Sequence, residues 1–89
     1  MSLSKEQITT TLTYYFLEHV LAPNGIDEIA PGDDLLEDGL IDSLGVMHLL
    51  AYIQSEFGFE VPPENVTVEN FISIDALASF LLGSLQKQE

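Results

Sequence analysis

Apolar residues recur at three- and four-residue steps in three separate stretches of this chain, and no sustained strand alternation competes with them. A period of three to four fits one face of an α-helix, whereas a half-buried strand needs a period of two. The pattern predicts an all-α chain. The first stretch holds Ile8, Leu12, Tyr15, Phe16 and His19 or Val20. Ahead of it, Ser4-Lys5-Glu6-Gln7 has the spacing of a capping box, with Ser4 as N-cap and Gln7 as its reciprocal partner. A helix of about five turns is predicted here, stopped by Ala22-Pro23-Asn24-Gly25.

The second stretch opens at Asp42-Ser43 and runs to about Phe57, with Gly58 as its stop. Val46, Leu49, Leu50, Ile53 and Phe57 form one buried stripe along it. Val61-Pro62-Pro63 then interrupts, leaving room for a short turn or helix from Glu64 to about Asn70. Ser73 caps the last helix, with Asp75 in the first turn where the helix dipole favours an anion. Ile74, Leu77, Ala78, Leu81 and Leu85 repeat the core spacing. The reading is three long helices and one short one, in a single domain over residues 1–89 with its core from about 4 to 86.

Between the first two helices, residues 26–41 carry Pro31, Gly32, Gly39 and six acids: Asp27, Glu28, Asp33, Asp34, Glu37 and Asp38. Leu35, Leu36 and Leu40 are placed to pin this segment to the core as a long ordered loop. Loops this long are uncommon in small domains and tend to be functional. The acids matter beyond the loop. Fifteen of them stand against two lysines, a formal net charge of −13. Such a surface repels phosphate backbones, so nucleic acid is not an expected partner. Proteins with basic patches are drawn to it, although acidity can also serve solubility alone. With 46% hydrophobic residues the chain is too apolar for a disordered acidic tail. It has no cysteine, which excludes disulfides and a thiol nucleophile of its own. No apolar run is long enough to span a bilayer, and the start lacks a signal peptide's basic and apolar segments, so a cytoplasmic protein is expected.

Two features could carry function. Leu44, Met47, His48, Ala51 and Ser55 share a face of the second helix beside its buried stripe. They either widen the core or form an exposed docking patch. Ser43 also has two readings. It is a helix cap, or it presents an oxygen to solvent where a phosphate attached to it would meet free N–H groups and the positive dipole end.

The segment Asp34-Leu35-Leu36-Glu37-Asp38-Gly39-Leu40-Ile41-Asp42-Ser43-Leu44 resembles the attachment segment of acyl carrier proteins and peptidyl carrier domains, which share an Asp-Ser-Leu core at the start of their second helix. Leu49-Leu50, Ile53, Glu56-Phe57-Gly58, Glu60-Val61-Pro62 and the Phe71-to-Leu82 segment continue the likeness, which covers about Ile8 to Leu85. The resemblance implies an acyl-carrier-like four-helix bundle. It implies that Ser43 receives 4′-phosphopantetheine from coenzyme A through a phosphopantetheinyl transferase. The thiol of that arm then holds an acyl or aminoacyl group as a thioester. By the same likeness Asp42 helps position the transferase's magnesium-bound substrate, and Leu44, Met47, His48 and Ala51 contact partner enzymes. Those partners are a transferase, an acyl- or aminoacyl-loading ligase and downstream synthases or transferases, all visited by a monomer.

There are departures from the fatty-acid-synthesis pattern. Gly39-Leu40-Ile41-Asp42-Ser43 is one residue longer than the common Gly-x-Asp-Ser, and Gly45 and His48 stand where acids are common. That form is more similar to free-standing carriers of specialised pathways: D-alanyl carriers, or discrete carriers of polyketide and nonribosomal peptide synthesis. Val66-Thr67-Val68-Glu69-Asn70-Phe71 looks like carriers of hydroxymalonyl or methoxymalonyl units.

Other readings are weaker. A Ser/His/Asp arrangement needs His19 or His48 beside Ser43, and His48, five positions on, does not stack over it. Asp33, Asp34, Glu37 and Asp38 lack the ligand spacing of a calcium loop, so no metal site is expected. An unmodified acidic adaptor that binds basic proteins is the remaining alternative.

Overall fold

The computed structural model describes residues 4–21, 25, 28–36 and 41–88, and the side chains of residues 21, 87 and 88 lie outside that description. Within it the chain is helical, with no strand among the described residues. Helix α1 spans Lys5–Phe16, α2 Ser43–Phe57, α3 Val68–Phe71 and α4 Ile74–Gln88, with a 3-10 turn at Pro63–Asn65. The expected stop at Ala22-Pro23-Asn24, the Leu40 anchor and the acids Asp27, Glu37 and Asp38 fall outside the described residues.

Local chemistry sets most of the boundaries. Ser4 Oγ accepts the Gln7 N–H at 3.1 Å and Gln7 Oε1 accepts the Ser4 N–H at 2.8 Å, closing the capping box. The helix runs on past Phe16 to Leu21, about the expected five turns, but its last stretch, Leu17–Leu21, widens into a π-helical turn. There His19 lies over the Tyr15 ring, centroids 4.9 Å apart. Gly58 ends α2 with φ of 68°, the left-handed conformation that costs a glycine nothing. The segment expected to form one short helix splits in two. Pro62 O accepts the Asn65 N–H at 2.9 Å to close the 3-10 turn, and Thr67 Oγ1 then caps α3 through the Asn70 N–H at 3.4 Å.

The fully buried part of the core comes from three helices and the loop, and Phe71 of α3 joins it. Ile8, Leu12 and Phe16 of α1, Leu49 and Ile53 of α2, and Ile74, Leu77, Ala78 and Leu81 of α4 are fully buried, joined by Leu35 of the loop. Each buried apolar side chain contributes about 1.5–3 kcal/mol of transfer free energy, most of which offsets ordering entropy. Val46, Leu50 and Phe57 are only partly buried, packed against the core's edge. Lys5 Nζ meets Asp75 Oδ1 at 2.8 Å, pinning the start of α1 to the start of α4. Both groups are substantially exposed, so this pair orients more than it stabilises.

The loop is ordered where it is described, by backbone bonds to the start of α4. Pro31 O accepts the Asp75 N–H at 2.8 Å and Ile72 O accepts the Leu35 N–H at 2.7 Å. Leu35 O in turn accepts the Ile41 N–H at 3.3 Å, which delivers Ile41, itself buried, to the residue before α2's cap. This stitching fixes where α2 begins.

Candidate functional site

The start of α2 separates two jobs that the sequence left on one residue. Asp42, not Ser43, is the N-cap: its Oδ1 accepts the Gly45 N–H at 2.8 Å from an extended backbone. Ser43 is therefore the first helical residue, exposed, and its hydroxyl has no hydrogen-bond partner among the described residues. The cap reading of Ser43 is corrected by this geometry. An oxygen left free at the first helical position faces solvent beside the remaining unpaired N–H groups of the turn, where negative charge is stabilised by about 0.3–1 kcal/mol.

Gly45 belongs to this arrangement and was read from sequence only as a missing acid. A Cβ there would lie 3.3 Å from Asp42 Oδ1 and 3.5 Å from the Ile41 Cβ. Its bare Cα lets the carboxylate close over the turn. A glycine three residues after a capping aspartate is a signal that could have found it.

The patch beside the stripe is exposed. Leu44 is 59% and Met47 64% accessible, and His48, Ala51 and Ser55 are also exposed. Leu44 and Met47 thus do not widen the core. Two further apolar residues are exposed: Val66, just after the 3-10 turn, and Val68, the first residue of α3. With Leu36, Val46, Thr67 and Phe71 they line a recess of about 160 Å³ that joins α2 to α3. From the sequence these valines enter only through the likeness of the Val66-to-Phe71 stretch, although two β-branched apolar residues among polar ones also signal a surface.

The histidines stay apart from Ser43. His48 is exposed on α2, and His19 sits at the end of the first helix with Nε2 3.9 Å from a Glu18 carboxylate oxygen. Neither is hydrogen-bonded to Ser43 among the described residues. Two of the described acids of the loop serve its own turns: Asp33 Oδ2 accepts the Ala30 N–H and Asp34 Oδ1 the Leu36 N–H, each at 2.9 Å. Among the described residues no three potential ligands gather into a metal site. No helix among them is long and apolar enough to cross a membrane.

The sequence profile of the family described as "Phosphopantetheine attachment site" matches residues 21–81, more than half the chain, and that span contains Ser43. The chain belongs to this family. Aminoacyl carrier protein 2 of Bradyrhizobium diazoefficiens is 33% identical over 67 residues, 74% of each chain. Aminoacyl carrier protein 1 of the same organism is 30% identical over 59 residues, 66% of this chain and 64% of that one, so just under two thirds of that relative is spanned. Among solved structures, a chain in a crystal structure of an FAD-dependent dehydrogenase is 33% identical with a TM-score of 0.57, over 65% of this chain and 92% of that one. A chain in the crystal structure of Bradyrhizobium japonicum glycine:[carrier protein] ligase complexed with glycylated carrier protein superposes with a TM-score of 0.61, over 84% of this chain and 95% of that one. At 23% identity the latter match establishes the fold, an acyl-carrier-like helical bundle.

The family's prosthetic group is covalently attached 4′-phosphopantetheine. The residues present fit it. An exposed hydroxyl without a partner, a first-turn N–H array and an adjacent cap that leaves that hydroxyl unengaged are what a phosphodiester at this place needs. The group supplies a thiol, which this cysteine-free chain lacks.

Proposed function

We propose that this chain carries an aminoacyl group as a thioester on phosphopantetheine attached to Ser43, and hands it to partner enzymes without bond chemistry of its own. The observation that carries the reading is the division of labour at α2: Asp42 caps, and Ser43 stands exposed and unengaged. The residues 1–89 act as one cytoplasmic, monomeric carrier domain, and mutual repulsion of chains with net charge −13 supports the monomer. Asp42 also helps position the transferase's magnesium-bound coenzyme A. Leu44, Met47, His48 and Ala51 contact the loading ligase and later enzymes. Tethering makes each delivery effectively intramolecular at the docked active site.

Both curated relatives are named aminoacyl carriers, which favours an amino acid as cargo and a ligase as its loader. A second reading, that the carried group is the substrate of a flavin-dependent dehydrogenase, has the 33% identical chain of a dehydrogenase crystal structure behind it.

The test is intact-mass spectrometry after incubation with coenzyme A, magnesium and a broad-specificity phosphopantetheinyl transferase. Wild type is expected to gain one phosphopantetheine group and Ser43→Ala none. If wild type stays unmodified, or the variant is modified equally, an unmodified acidic adaptor becomes the better account.

A further inference from the structure

Fifteen acids give this chain its charge, yet none lies between Ser43 and Ser55, and neither does a lysine or arginine. At 1.5 Å per residue that is a run of roughly 20 Å along α2 without a carboxylate, lysine or arginine, and His48 is its one titratable side chain besides Tyr52. The carboxylates at its two ends are Asp42, already turned onto the Gly45 N–H, and Glu56. Measured along the axis, Met47 and Ala51 are each about one physiological screening length from the nearer of these two. The same run exposes Leu44 and Met47. Val66 and Val68 continue the apolar surface across the recess that they share with Val46. Four of the five large exposed hydrophobic side chains among the described residues therefore lie on α2 or on the segment facing it.

We infer that the enzymes acting on this chain dock on α2 through an apolar socket that receives Leu44 and Met47 and places no lysine or arginine against the helix. The inference rests on the carrier reading and names the chemistry of its partners. The reason is charge complementarity. A cation pressed onto this face loses hydration and finds no carboxylate of α2 in reach, so an enzyme built to grip an acidic helix is rejected. An apolar socket gains from both side chains and leaves nothing charged unpaired.

The experiment uses the full chain and the transferase assay, because any enzyme that acts at Ser43 must approach this end of α2. kcat/KM for modification is measured from about 50 mM to about 500 mM NaCl for wild type, Met47→Ser and a His48→Glu/Gln54→Glu double variant. For wild type a change of less than about threefold is expected across that range, against about tenfold or more where several charge pairs form. Met47→Ser is expected to lose about tenfold at every salt concentration, with circular dichroism unchanged. The double variant is expected not to exceed wild type. A steep salt dependence of wild type, which needs no variant to fold, overturns the inference while the carrier reading stands. So does a double variant that outperforms wild type at low salt. Absence of any modification overturns the carrier reading itself.

Discussion

Helices α2 and α4 have the same length, fifteen residues, and each begins beside a serine with a side-chain oxygen capping its third N–H. They differ in which residue supplies that oxygen. At α4 it is Ser73, buried, whose Oγ accepts the Ala76 N–H at 3.0 Å. At α2 it is Asp42, and Ser43 is left over. The contrast continues down the helices. Ile74, Leu77, Ala78 and Leu81 of α4 have no exposed surface, whereas only Leu49 and Ile53 of α2 are buried to that degree. One helix is committed to the core on its working face. The other is half committed, and its uncommitted half starts at the serine. A residue becomes available for chemistry here because a neighbour has taken over its structural task.

The largest effect should come from exchanging the roles of the two serines. Ser43→Ala is expected to abolish phosphopantetheinylation by intact mass while changing stability by no more than about 0.5 kcal/mol. Ser73→Ala is expected to be modified at the wild-type rate but to cost about 1 kcal/mol in urea unfolding. If Ser43→Ala proves the less stable of the two, the division between cap and free hydroxyl is wrong.

Next in size is the contrast between the buried and the open face. Leu77→Ala should cost about 2–5 kcal/mol, since it removes a fully buried side chain of the α1–α4 core. Met47→Ala should lie within about 0.5 kcal/mol of wild type, since most of its surface is already in water. A Met47→Ala loss near that of Leu77→Ala in the same urea titration would return Met47 to the core and remove it from the docking face.

A smaller effect tests the cap itself. Asp42→Ala should lose about 1 kcal/mol and Asp42→Asn much less, because an amide oxygen still accepts the Gly45 N–H. If Asp42 also positions the transferase's substrate, Asp42→Asn retains stability yet lowers kcat/KM for modification. Equal losses in both measurements for both variants would leave only the structural role.

The repeating parts of the fold were legible in the sequence because they rest on local rules. The capping box at Ser4, the Gly58 stop, the Ser73 cap and the stripe through Leu49 and Ile53 each need only a few neighbouring residues to specify them. What stayed hidden depends on contacts between distant segments. Ile41, Phe59 and Val61 are core residues in non-helical connections, so no helical period announces them. Whether Leu44 and Met47 were core or surface turned on where α1 and α4 lie, which periodicity within α2 does not state. At the site, Asp42 and Ser43 are both good caps by propensity. Which of them caps is fixed by where the loop delivers Ile41, through the bond to Leu35.

The smallest predicted effect concerns how α2 is held on its buried side. Tyr52 of α2 stacks against Tyr15 of α1, ring centroids 4.4 Å apart. Burial raises the Tyr15 hydroxyl above its ordinary pKa of 10.0. Burial also raises that of Tyr52, and the carboxylates of Glu56 and Glu18 add to it. Both groups thus bind their protons more tightly in the folded state than in the unfolded one. Their contribution to stability is complete below pH 10.0 and falls as pH rises through that value toward the raised folded pKa. Tyr52→Phe removes one of these groups, so its thermal midpoint should fall less steeply than that of wild type above that pH. The consequence should also be uneven along the chain. Ionisation at Tyr52 puts charge beside Glu56 and Glu18, while the fully buried side chains of α1 and α4, Ile8, Leu12, Leu77 and Leu81, do not titrate, and the Lys5–Asp75 pair between those helices lies substantially exposed at their starts. Amide exchange measured across that alkaline range should therefore show α2 opening before α4, once the intrinsic rate at each pH is divided out. Simultaneous opening of both helices would mean that α2 is as firmly built into the core as α4, and the comparison between them would then rest on their first turns alone.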